Sequence, residues 1–147
     1  MTDTNLTIDG EVATPVTLSR QEIAASAGDC VIDDVGTIEP RRQGRAVHLN
    51  ALLDLVDPAP AATHLTLHAS IDDFAASIPL DAVQERGIVV FEIDGQALET
   101  KHGGPYRFVI ANAAACKTDE LDDCANVKFL DRIELTAGKG RDTRVRE

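Results

Sequence analysis

The sequence contains no tryptophan, one tyrosine, four phenylalanines and one methionine in 147 residues. With aromatics this scarce, the interior has to be filled by Val, Ile, Leu and Ala, a choice that carries no chemistry of its own. Positive charge is also thin: 14 Lys and Arg face 25 Asp and Glu, a formal net charge of −11. A surface that acidic repels phosphate backbones and anionic lipid headgroups, so neither nucleic acid nor a membrane is expected as a partner, although a local basic patch can still hold one small anion. No apolar run approaches the ~20 residues of a membrane-spanning helix. Residues 1–9 are polar, with neither the basic nor the apolar region of a secretory signal, and the expectation is a cytoplasmic protein. Cysteine is limited to Cys30, Cys116 and Cys124. An odd count in an acidic chain of this kind argues against a secreted disulfide framework.

What is present is globular: 44% of residues are hydrophobic and 27% charged. The length suits one domain with one substantial core. We assign residues 1–137 to that domain and expect residues 138–147, rich in Gly, Lys and Arg, to form a flexible tail. Residues 6–12 alternate apolar and polar and then meet Pro15, which predicts a strand and a turn. Ser19 followed three residues later by Glu22 is a capping box, so a short helix starts there and stops near Gly28. A strand is expected over 30–36, then a basic loop with Arg41, Arg42 and Arg45. Val47, Leu49, Leu52, Leu53 and Val56 recur at helical spacing, and the Pro58/Pro60 segment ends that helix. Residues 64–69 alternate strictly and should pair with a second strand over 74–79, followed by a helical turn from Leu80. The run 88–93 suits a buried strand, Asp94-Gly95 a tight turn, and 106–110 and 127–135 two further strands. Many short strands with a few short helices predict a β-rich α+β domain.

The order of these pieces resembles the molybdopterin-binding domain of sulfite-oxidase-type oxidoreductases. The opening strand with Pro15 to Leu18, the segment Gly44, Val47, Leu49, Leu52 and Leu53, and the hairpin from His64 to Leu80 are each similar to a part of that domain. The most specific likeness is Ile93-Asp94-Gly95 followed by His102-Gly103-Gly104-Pro105-Tyr106-Arg107-Phe108. In that family a nearly identical turn and His-Gly-Gly-Pro-x-Arg stretch borders the pterin site. Val127-Lys128-Phe129 resembles the closing strand, with Phe129 in place of Trp. The resemblance spans about residues 6–135. It implies a β-rich sulfite-oxidase-type fold, an oxidoreductase-like domain, a molybdenum–molybdopterin cofactor and an electron-transfer protein partner.

On this resemblance the cofactor-binding candidates are His102, Gly103, Gly104, Arg107, Lys128 and Arg45. Glycines at 103 and 104 let backbone N–H groups approach a ligand, or they simply make the turn before a strand. Arg107 on an inward face suits a phosphate or a pterin carbonyl through paired hydrogen bonds; facing solvent, it is only an edge charge. Arg45 and Lys128 have the same two readings.

The metal in this family is also held by one protein cysteine at the end of the strand preceding the Gly44 segment, where a soft thiolate matches a soft metal centre. The candidate here is Cys30, but it stands at the start of its strand, 14 residues before Gly44. It is either that ligand or a half-buried structural thiol. Without the thiolate, oxygen-transfer chemistry loses its anchor. The domain is then a non-catalytic relative that uses the cofactor groove for a small anion or a protein partner.

A loop from Ala113 to Asn126 carries Cys116 and Cys124 around four carboxylates. The pair reads as a redox or disulfide pair, as a metal site with Asp, or as two ordinary loop residues. The spacing matches no standard zinc pattern, and the acidic neighbours oppose thiolate formation. His64 and His68 share a strand face about 13 Å apart, too far for one metal. No nucleophile elbow, phosphate loop or dinucleotide fingerprint is present.

Overall fold

A computed structural model describes residues 5–28, 31–37, 44–70, 73–83, 87–93, 95–96, 98, 104, 106–110, 127 and 129–143. Two sheets organise them. The first contains β1 (Leu6–Gly10), β2 (Val16–Leu18), β5 (His64–Ala69), β6 (Phe74–Pro79) and β9 (Arg132–Thr136), in the order β2-β1-β9-β5-β6. The second contains β3 (Val31–Ile32), β4 (Arg45–His48), β7 (Gly87–Glu92) and β8 (Arg107–Ile110), in the order β3-β4-β7-β8. Pairing is antiparallel except between β1 and β9, which lie parallel with Ile8 opposite Ile133. The architecture is β-rich α+β, as the sequence predicts.

Strict alternation builds the five-stranded sheet. Leu6, Ile8, Leu65, Leu67, Ile133 and Leu135 are fully buried on one side, while Asp9, His68, Arg132 and Glu134 form a polar row on the other. Helix α1 (Arg20–Ala27) begins with the expected capping box, in which Glu22 N–H donates to Ser19 Oγ and Ser19 N–H donates to Glu22 Oε1. Helix α2 (Leu49–Val56) buries Leu49, Leu52, Leu53 and Val56, the i, i+3, i+4, i+7 stripe of an amphipathic helix. The main core lies between the two sheets and these helices, and Phe91, Tyr106 and Phe108 fill it. A short helix α3 (Leu80–Val83) follows β6.

Several expectations are corrected. Val47 belongs to β4, and α2 starts two residues later, because residues 45–48 pair with both β3 and β7 and cross-strand bonding overrides the helical period. The strand expected over 30–36 is only Val31–Ile32, followed by a 3-10 turn at Val35–Thr37 that Asp34 Oδ1 supports by accepting from Gly36 N–H. The last strand starts at Arg132, after Phe129 takes a left-handed φ of 60°. The tail expected from residue 138 is bound through 143: Thr143 N–H donates to the Ala75 carbonyl and Ser77 N–H to Asp142 Oδ2. Among the described residues no helix is long and apolar enough to cross a membrane.

Gly10 has a φ of 92° and lies against Leu135, where any Cβ would collide with the Leu135 carbonyl oxygen. That collision makes glycine obligatory where β1 crosses close to β9.

Two outcomes follow from this packing. Leu52→Ala should lower stability by about 2–5 kcal/mol, read in urea as a lower midpoint at unchanged slope. The Glu22 carboxyl is held below its ordinary 4.5 by the Ser19 backbone N–H and then by the Ser19 hydroxyl. Its contribution is therefore complete above 4.5 and is lost as pH falls through the depressed folded value. Glu22→Gln should flatten the acid limb of the stability–pH curve and leave the neutral region's slope unchanged.

Candidate functional site

Strand β7 reads Gly-Ile-Val-Val-Phe-Glu, and its first five residues are all buried. Val89 and Phe91 enter the main core. Ile88 and Val90 point the other way, into a second cluster with Ile32, Val35, Ala46, Ile93, Leu98 and Val109. This second cluster is the flank on which the candidate site is built.

Arg107 lies directly opposite Val90 in the β7–β8 ladder. Facing pairs project to the same side of a sheet, so Arg107 stands on the flank of the second cluster. Its Nε is buried. Phe108, the next residue, turns into the main core and donates its N–H to the Val127 carbonyl at 2.8 Å. Gly104 is buried against Leu98, where a Cβ would collide with the Leu98 backbone. The glycine is thus required by chain-to-chain contact in the turn, which accounts for it without a ligand. Leu98 belongs to the second cluster, so the structure brings Gly104 and Arg107 to one flank.

Arg45 belongs elsewhere. Its Nη1 donates to Glu92 Oε1 at 3.0 Å, its Nε lies 3.6 Å from Asp33 Oδ1, and its guanidinium stands over the Phe91 ring at 5.5 Å. Glu92 also accepts from Arg20 Nη1 at 2.6 Å, so one carboxylate, 12% exposed, joins α1, β4 and β7. Gly44, with a φ of 109°, sits where a Cβ would collide with the Glu92 carbonyl oxygen, which lets the chain enter β4 beside this pair. The Arg45 guanidinium is engaged by carboxylates and stands over a main-core ring. Its first role is to hold the end of the sheet together.

Sequence reasoning missed Glu92. The only signal was a single acid closing an otherwise apolar strand, beside a Gly-Arg step that the pairing places opposite it. It also passed over Asp33 and Asp34, which follow β3 and so stand at the downstream end of the strand that precedes the Gly44 segment. Cys30 precedes that strand; Cys30, His102, Gly103 and Lys128, with Arg41, Arg42, Cys116 and Cys124, lie outside the described residues. Among the described residues no group of three His, Cys, Asp or Glu is placed to hold a metal ion. His68 Nε2 instead bonds Glu134 Oε1 at 2.9 Å, and His64 Nδ1 lies 3.0 Å from the Thr63 hydroxyl.

The β-rich two-sheet α+β fold is the one that the sequence resemblance implies. The comparisons fix the family. The profile described as the oxidoreductase molybdopterin binding domain matches residues 45–143, and the chain belongs to that sulfite-oxidase-type family. Among solved structures, the sulfane dehydrogenase SoxCD from Paracoccus pantotrophus is similar, with a TM-score of 0.63 at 20% identity. The alignment covers 93% of this chain and 39% of that one, so the present chain spans well under half of the SoxCD chain it matches. No curated protein matches.

Among the described residues, the two that follow β3 are Asp33 and Asp34, hard oxygen donors and not the soft thiolate that the resemblance implies for this part of the chain.

The shared carboxylate makes a measurable demand. Glu92→Gln leaves two guanidiniums facing each other across a neutral amide. It should cost about 2–3 kcal/mol in urea unfolding, somewhat under the range for a fully buried pair because Arg45 is partly exposed. Arg20→Met in the Glu92→Gln background should recover part of that loss.

Proposed function

We propose that this domain is a non-catalytic member of the molybdopterin-binding family that keeps the fold and binds a small anion on the flank of the second cluster. The observation that carries this reading is the pair Asp33 and Asp34 at the downstream end of β3, where the family's thiolate ligand is delivered. A carboxylate there does not anchor a soft metal, and it adds negative charge beside Arg45.

Arg107 is the group proposed to recognise the ligand. A guanidinium beside apolar side chains binds an oxyanion more tightly than the same group in water, since competing hydration is reduced. A pterin phosphate is one compact anion of that chemistry, and inorganic phosphate is its simplest probe. The acidic surface fits a ligand of this size better than an extended polyanion.

Protein purified from a host that makes molybdopterin should contain no near-stoichiometric molybdenum by elemental analysis, and Cys30→Ser should not change its metal content. Phosphate should raise the thermal midpoint of the parent, and Arg107→Ala should lose that shift. Near-stoichiometric molybdenum that disappears in Cys30→Ser would sink the proposal and restore Cys30 as the ligand. An unchanged phosphate response in Arg107→Ala would remove Arg107 from the site.

A further inference from the structure

Strand β6 is an edge of the five-stranded sheet. It pairs with β5 along all six residues, from His64 opposite Pro79 to Ala69 opposite Phe74, with no bulge. Its sequence, Phe-Ala-Ala-Ser-Ile-Pro, holds no charge. A regular, uncharged edge of this length is a template for pairing with another chain, and proteins usually protect such edges with charge, a bulge or a cover.

Here the protection is a cover. Residues 138–143 pass over the polar face of the sheet, with Gly140 against Thr66 and Thr136, and reach the outer side of β6 at Asp142 and Thr143. Ala75 N–H donates to Thr143 Oγ1 at 3.0 Å, and Thr143 N–H donates to the Ala75 carbonyl at 2.7 Å. Ser77 N–H donates to Asp142 Oδ2 at 3.2 Å, and Gly140 N–H donates to Ser77 Oγ at 2.9 Å. Gly138 N–H reaches Thr63 Oγ1 at 2.8 Å, and Arg141 Nη2 pairs with Asp73 Oδ1 at 2.8 Å. The outward amides of β6 recur at every second residue. Ala75 and Ser77 are satisfied by the strap, and the next position, Pro79, has no N–H. Two of the acceptors are side-chain oxygens standing in for backbone carbonyls, so the strap imitates a strand without being one.

We propose that the end of this strap, Asp142 and Thr143, occupies an edge that otherwise accepts a second copy of this chain, β6 against β6, and thereby holds the domain monomeric. The sequence of β6 suits its own two-fold mate. Antiparallel pairing centred on Ala76 sets Ala75 opposite Ser77, the two residues whose N–H groups point outward, so they would exchange both hydrogen bonds of a bonded pair. Ala76 meets itself and Phe74 meets Ile78, with no like charges opposed. The pairing would extend the inner apolar row of Phe74, Ala76 and Ile78 across the two-fold axis. This inference is independent of any ligand on the second cluster.

The test uses the full chain with Asp142→Ala and Thr143→Val combined, which removes both side-chain acceptors. Hydrogen exchange at Ala75 and Ser77 should become about tenfold faster in dilute protein. Sedimentation should show a dimer that grows with concentration, with the same two amides protected again in the dimer. Thr143→Ser, which keeps the hydroxyl, should remain monomeric and slow-exchanging. If the double variant does not fold, Thr143→Val alone carries the same readouts. Faster exchange in a chain that stays monomeric at every concentration overturns the proposal, because the strap would then only stabilise. Unchanged exchange overturns it too, as does a parent protein that is already dimeric through β6.

Discussion

Strand β7 is buried on both of its faces, and the rest of the domain is arranged to satisfy that demand. Val89 and Phe91 need one apolar layer, and Ile88 and Val90 need another. The five-stranded sheet and the two helices supply the first. The turn structures around Val35, Ile93 and Leu98 supply the second, and they can do so only by folding loops tightly over the sheet. Gly104 is glycine because that covering loop passes against the Leu98 backbone. Arg107 reaches the same flank because its neighbour Phe108 is claimed by the main core and alternation sends it the other way. The candidate binding flank is thus a by-product of burying β7 twice.

The same strand ends in a charge, and the electrostatics of the chain turn on how few cations it has to use. Several of those described are tied to acids: Arg20 and Arg45 to Glu92, Arg132 to Asp9, and Arg141 to Asp73. The Asp9 carboxylate bonded to Arg132 raises that guanidinium's pKa further above its usual value despite partial burial. The more exposed of these, Arg132 with Asp9 and Arg141 with Asp73, contribute little stability each. Their consequence is different: a guanidinium engaged by a carboxylate is a weaker anion receptor than one presented to a ligand. Arg45 is engaged in that way, by Glu92 and Asp33.

Features set by local chemistry were legible in the sequence. Ser19 and Glu22 define a helix start through bonds three residues apart, and the hairpin from His64 to Pro79 follows from alternation and small turn residues. Features set by distant partners were not. Val47 fits the helical period of the residues after it, yet pairing with Val31 and Val89 draws it into β4. A three-residue strand such as β2 is too short to show a period, and it exists because Leu18, Thr17 and Val16 meet Leu6, Thr7 and Ile8. Of the Gly-Gly-Pro-x-Arg stretch, Gly104 and Arg107 fall among the described residues, on the flank of the second cluster. Glu92 escaped notice because its importance depends on two arginines, 72 and 47 residues away in the chain, that only the fold brings to it.

The position of two residues relative to a two-residue strand then decides what chemistry the domain can support. Had β3 extended over 30–36, as the apolar pattern suggested, Cys30 and the strand's end would have belonged to one long element, and the ligand question would have rested on register. The described strand is instead so short that two carboxylates, Asp33 and Asp34, follow directly on its two residues. A soft metal held by dithiolene sulfurs gains from a third sulfur and gains much less from an exposed aspartate that already supports the backbone at Gly36. Burying β7 on both faces organises this flank whether or not a metal is held beside it. Under the proposed reading, what the domain contributes is a guanidinium beside an apolar wall, a combination that suits a small anion.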